Sequence, residues 1–101
     1  MSVLLELSIF PTDKGASVSA YVAPIVKLIK DSGLPCKLTA MGTIIETDEL
    51  SEGLALVEKA HALLRDGGCR RVYATLKIDS REGPSGRLEG KIASVVEKIG
   101  D

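Results

Sequence analysis

The chain has 101 residues and a formal net charge of −1, from 13 basic and 14 acidic side chains. That is the length of one domain, residues 1–101, and the charge balance excludes a nucleic-acid-coating surface and a polybasic membrane anchor. Hydrophobic residues make up 45% of the chain, which excludes disorder, but aromatics only 3%, so the core must be aliphatic and platforms for stacking bases are scarce.

Residues 3–10 (VLLELSIF) alternate. Val3, Leu5, Leu7 and Ile9 face one way, and Leu4, Glu6, Ser8 and Phe10 the other, which predicts a strand. PTDKG, residues 11–15, is turn chemistry. Val18, Tyr21, Val22, Ile25, Leu28 and Ile29 recur at helical spacing, predicting an amphipathic helix over 17–32. Ser17 or Ser19 can cap its start and Gly33 can end it. Pro24 removes a backbone donor, so the helix either starts late or is kinked near its first turns. Residues 36–41 alternate and 43–47 are rich in β-branched residues. With Gly42 free to adopt the positive φ of a turn or bulge, they read as a hairpin or a strongly bent strand pair.

Asp48 is the expected cap of a helix over 49–66, with a stripe of Leu50, Leu54, Val57, His61 and Leu64 ended by Gly67-Gly68. Residues 70–79 (RRVYATLKID) alternate clearly, with Val72, Ala74, Leu76 and Ile78 directed at the core. SREGPSG is a loop, and a last helix spans about 87–99, carrying Leu88, Ile92, Val95, Val96 and Ile99. The order β-α-β-β-α-β followed by a helix is the α+β, ferredoxin-like pattern: a four-stranded antiparallel sheet with two helices on one face, plus a C-terminal helix. The other face, with Leu4, Phe10 and Tyr73 among its polar residues, needs a cover. Self-association into a homodimer or homotetramer is the expected one, and the third helix folding over the sheet is the alternative.

The chemistry is thin. With one histidine, His61, two cysteines, Cys36 and Cys69, and no CxxC, one chain has poor material for a metal site, and none is expected. His61 lies on an apolar stripe, and neither thiol has an evident base, so no catalytic group is assigned. No apolar run is long enough to cross a bilayer and no signal peptide opens the chain, so a cytoplasmic protein with reduced thiols and no membrane partner is expected. Among functions known on this fold, RNA recognition lacks its exposed aromatics, heavy-metal carriage lacks its CxxC, and acylphosphate hydrolysis lacks its arginine-bearing glycine-rich loop.

The most informative local group is Gly42-Thr43-Ile44-Ile45-Glu46. Glu46 either accepts hydrogen bonds from an amine or protonated ring nitrogen, or pairs with Arg71, Lys77 or Arg81, or helps begin the next helix. Asp79-Ser80-Arg81 ends the last strand, where binding groups or a loop-stabilising ion pair occur. Ser17 and Ser19 either cap the first helix or meet an anion.

The runs L-S-I-x-P, S-V-S-x-Y-V, S-G-L-P-C-K-L-T-A-M-G-T-I-I-E and R-V-Y-A-T-L-K-I-D-S-R resemble the thiamine-binding-like family of small bacterial and archaeal proteins, over about residues 5–99. M-G-T-x-x-E and I-D-x-R are the most specific parts. The resemblance implies a ferredoxin-like fold assembled as dimers or tetramers through sheet faces. It also implies no enzyme and no cofactor, but thiamine or its hydroxymethylpyrimidine part as ligand, in a cleft between helix and hairpin or between subunits. The matching positions are Ser17, Ser19, Tyr21, Thr43, Glu46, Asp79 and Arg81. Two positions depart from the pattern: Pro24 interrupts the first helix, and Ala40 stands where proline is common. The alternative function is a structural or regulatory homo-oligomer without a small-molecule ligand.

Overall fold

The computed structural model describes residues 1–100, and Asp101 lies outside the described residues. The chain runs β1 (Ser2–Pro11), α1 (Ser19–Asp31), β2 (Cys36–Thr39), β3 (Gly42–Thr47), α2 (Leu50–Asp66), β4 (Val72–Arg81) and α3 (Arg87–Ile99). The strands form one antiparallel sheet in the order β2-β3-β1-β4. This is the expected α+β, ferredoxin-like arrangement.

The period-two pattern of β1 decides its register. Val3, Leu5, Leu7 and Ile9 are all buried. Leu7 and Ile9 pack with Ile25 and Ile29 of α1, Ile45 of β3, and Leu56, Ala60 and Leu64 of α2. Burying an aliphatic side chain of this size contributes about 1.5–3 kcal/mol, which makes β1 and its two covering helices the stable centre of the molecule.

The register of β1 against β3 is regular from Val3↔Thr47 to Leu7↔Thr43. There is thus no bulge at Gly42, and its φ is not positive. Gly42 serves close approach instead: a Cβ there would stand 2.9 Å from the Leu7 carbonyl oxygen. The hairpin turns through Ala40 and Met41 without positive φ. Thr39 Oγ1 secures it, accepting from the Met41 N–H at 3.2 Å and donating to the Gly42 carbonyl at 2.8 Å.

Helix ends differ from the sequence reading. The N-cap of α1 is Val18, and neither Ser17 nor Ser19 makes a capping bond. Because α1 starts at Ser19, Pro24 falls in its second turn. Gly33 follows the helix at φ 79°, as expected. For α2 the N-cap is Glu49 rather than Asp48, and the Glu49 N–H donates to Glu52 Oε1 at 3.1 Å.

The buried stripe of α2 is Gly53, Leu56, Ala60 and Leu64. Leu50, Leu54 and His61 are exposed. The helix is rotated from the expected setting because its two small residues face the sheet. At Gly53 a Cβ would lie 2.7 Å from both terminal carbons of the fully buried Leu5, so a larger residue here would have to displace that side chain.

On β4, Val72 and Leu76 are half-buried, whereas Ala74 and Ile78 are exposed. β4 is an edge strand that the two helices cover only in part. On the outer face, the Phe10 and Tyr73 rings pair with centroids 5.8 Å apart. α3 buries no residue. Beyond its first turn Ile92, Val95, Val96 and Ile99 are exposed. The radius of gyration, 14.9 Å, exceeds the roughly 13 Å of a compact chain this long, in line with a helix standing off the body.

Candidate binding site

A cavity of about 310 Å³ opens between α1, the end of β1 and the β2–β3 hairpin. That is small-ligand size, at the lower end of about 300–1,000 Å³. Val18, Val22, Ile25 and Val26 of α1 form one wall, and Leu38, Met41 and Thr43 of the hairpin form the other. No titratable side chain lines it. Its polar groups are few. Thr43 is 6% exposed and lines the cavity.

The cleft exists because β1 outruns the hairpin. β4 pairs with β1 from Ser2 to Pro11, whereas β3 pairs with it only from Val3 to Leu7. Ser8, Ile9 and Phe10 therefore present an unpaired strand edge on the hairpin side, and all three line the cavity. Pro11, which has no N–H to leave unpaired, ends that edge.

Glu46 lies on β3 but outside this cleft. It is 3% exposed, on the outer face of the sheet, and its carboxylate is saturated. Oε2 accepts from the Ser2 hydroxyl at 2.7 Å, the Gly86 N–H at 2.9 Å and the Arg87 N–H at 3.1 Å, while Oε1 accepts from the Leu88 N–H at 3.2 Å. A carboxylate from a distant strand thus caps α3, satisfying backbone donors that the helix cannot pair and meeting the positive end of its dipole. Burial pushes this carboxyl's pKa up. The Ser2 hydroxyl and the Arg87, Leu88 and Gly86 N–H groups more than offset that, leaving it below the usual value.

Arg87 extends the same network. Its Nε donates to Ser2 Oγ at 2.9 Å, Nη1 to Asp79 Oδ2 at 3.0 Å, and Nη2 to the Ser2 and Asp79 carbonyls at 2.8 and 2.7 Å. Lys91 adds a bond to Asp79 Oδ2 at 2.8 Å. Lys91 and Arg87 together hold the Asp79 carboxyl below its usual range.

A second recess of about 550 Å³ borders this network and carries Glu46, Asp48, Glu52 and Glu89. Its buried carboxylate is already committed to α3, which leaves the α1–hairpin cleft as the recess whose lining holds no ionised group.

Of the seven candidate site residues, Ser17, Ser19, Tyr21, Thr43, Glu46, Asp79 and Arg81, the structure brings Thr43 alone into the cleft. Ser19 is exposed and lines an adjoining shallow recess that shares Val22, Val26 and Leu38 with it. Ser17 is exposed, and Tyr21 is half-buried against the core. Asp79 belongs to the α3 network, and Arg81 is exposed at the end of β4. The sequence reading missed the Ile9 main chain and the α1 valines as cleft residues. Pro11 and the shortness of the hairpin were the signals that could have marked the open edge.

The sequence profile of the family described as thiamine-binding protein matches residues 5–96. A UPF0045 protein of Methanothermobacter thermautotrophicus is 37% identical over 98 residues, covering 96% of this chain and 99% of that one. A UPF0045 protein of Methanocaldococcus jannaschii is 38% identical over 95 residues, 94% of this chain and 93% of that one. A crystal structure from Methanocaldococcus jannaschii superposes with a TM-score of 0.82 at 38% identity, covering 95% of this chain and 97% of that one. A Thermotoga maritima protein, whose name points to thiamine biosynthesis or salvage, gives a TM-score of 0.74 at 16% identity. It covers 92% of this chain and 99% of that one, a likeness of fold alone. The family description names a ligand and no reaction.

Proposed function

The chain belongs to the thiamine-binding protein family, and we propose that it is a non-catalytic protein holding thiamine or its hydroxymethylpyrimidine part in the α1–hairpin cleft. The observation that carries this reading is the cleft's composition: apolar walls with the Thr43 side chain on the lining between them. A small site of this kind recognises an uncharged ring by shape and a few placed hydrogen bonds. The absence of titratable groups from its lining suits the neutral pyrimidine better than the cationic thiazolium, and it supports binding over acid–base chemistry. Val22, Val26, Leu38 and Met41 supply the ring's faces in place of aromatics. Ser19 extends the site from the adjoining recess.

Titration calorimetry with thiamine and with hydroxymethylpyrimidine tests the reading. Heat of binding, with a thermal shift, is the expected result. Neither heat nor shift at millimolar ligand overturns it.

One observation favours self-assembly alongside binding, or in its place. Ile92, Val95, Val96 and Ile99 are 46%, 60%, 53% and 63% exposed. An apolar stripe of this size on a soluble helix calls for a partner, and a second copy in a homodimer or homotetramer is the simplest one. The role of Glu46, Asp79 and Arg87 in this reading is to fix α3 at the angle that presents the stripe. A reducing compartment, the cytoplasm, fits the free thiols of Cys36 and Cys69. No helix among the described residues is long and apolar enough to cross a membrane.

A further inference from the structure

We propose that the main chain of Ile9 is the edge that reads an aminopyrimidine in the cleft, its N–H donating to a ring nitrogen and its carbonyl accepting from the adjacent exocyclic amine. The inference rests on the binding reading above and assigns the groups responsible for its specificity.

Strand alternation fixes where these groups point. In an antiparallel strand, the N–H and C=O of one residue share a side and those of the next take the other. The Thr12 N–H donates to the Arg71 carbonyl at 3.0 Å, so Thr12 addresses β4. Counting back by twos, Phe10 and Ser8 address β4 as well, and Ile9 addresses the hairpin side. β3 gives the same answer independently. The Glu46 N–H donates to the Pro35 carbonyl at 2.9 Å, so Glu46 addresses the β2 side. Thr47, Ile45 and Thr43 therefore address β1, opposite Val3, Leu5 and Leu7. Ile9 is next in that series and has no strand opposite it, because the hairpin has already turned at Ala40 and Met41.

Ile9 is 6% exposed and lines the cavity. The N–H and C=O of Ile9 have no strand partner on that side, so the fold offers a donor and an acceptor side by side to whatever fills the cleft. A further strand is not a fitting occupant. It would find one residue to pair with before Pro11 closes the edge. A ring carrying an acceptor nitrogen beside an amine does fit, since it presents to one residue the donor–acceptor pattern of a neighbouring strand. The Thr43 hydroxyl stands on the same lining for a further bond.

The test uses the full chain with thiamine, and with oxythiamine, which carries an oxo group in place of the amine and so reverses the pattern. It adds an amide-to-ester replacement at residue 9, which deletes that N–H and keeps the isoleucine side chain. Thiamine is expected to bind, oxythiamine at least about tenfold more weakly, and the ester chain to bind thiamine about tenfold more weakly than the natural one. On the unmodified chain, the Ile9 amide resonance should move downfield during a thiamine titration, a readout that holds even if the ester chain fails to fold. Thiamine binding with an unmoved Ile9 amide, or equal affinity for oxythiamine, overturns the role of Ile9 and leaves the binding reading standing. Binding of neither thiamine nor hydroxymethylpyrimidine overturns both.

Discussion

Thr43 and Glu46 leave opposite faces of β3. The hydroxyl of Thr43 faces the cleft beneath α1, and the carboxylate of Glu46 caps α3 on the far side of the sheet. A motif whose two polar residues stand three apart is thus divided by the strand period into a cleft-facing residue and an anchoring residue. The two have separable consequences when altered.

Thr43→Val keeps the side chain's shape and removes its hydroxyl. If the cleft holds the pyrimidine, this variant binds thiamine at least about tenfold more weakly, about 1.4 kcal/mol, while its unfolding midpoint changes little. Calorimetry and denaturation on the same preparation check both halves.

Glu46→Gln neutralises a carboxylate that accepts four hydrogen bonds and places an amide against backbone donors. A loss of about 1–3 kcal/mol in urea denaturation is expected, together with faster hydrogen exchange at Gly86, Arg87 and Leu88. Unchanged exchange at those amides would mean that the cap does not hold the helix.

The same carboxylate makes stability depend on pH. Its folded pKa lies below the ordinary 4.5. Its contribution is therefore complete above that value and is lost as pH falls through the folded value. Asp79, held low by Lys91 and Arg87, acts in the same direction. The natural chain should lose stability on acidification below about pH 4.5 more steeply than Glu46→Gln, as seen in urea midpoints measured across that range.

Gly53→Val places a branched side chain where even a Cβ would lie 2.7 Å from Leu5, which is itself fully buried. Overpacking of this kind costs about 1–3 kcal/mol, more than the helix gains from losing a glycine. A lower thermal midpoint is expected.

Val95→Lys puts a charge in the middle of the exposed α3 stripe. If a second copy covers that stripe, sedimentation velocity should show smaller species with unchanged circular dichroism. A distribution identical to that of the natural chain would rule the stripe out as the contact.

The hydrophobic periods carried the fold. The alternation of β1 and the helical spacing in α1 placed the elements in order, because each pattern records a boundary between core and solvent along a regular backbone. The pattern failed where side-chain size misled it. In α2 the bulky Leu50, Leu54 and His61 drew the expected stripe, but the helix turned its small Gly53 and Ala60 to the sheet, since close approach buries more surface than a wide seam. Gly42 likewise read as a turn residue and proved to be a point of contact between strands.

By itself the sequence determined the element order, the aliphatic core and the family, since these depend on local periodicity and on motifs that lie along the chain. Only the tertiary structure decided which polar groups were free. Glu46 meets α3 forty residues later in the chain, and Ile9 lacks a partner only because the hairpin stops short of it. A hydrogen bond is made or left open by what arrives in space, and no period in the sequence records that.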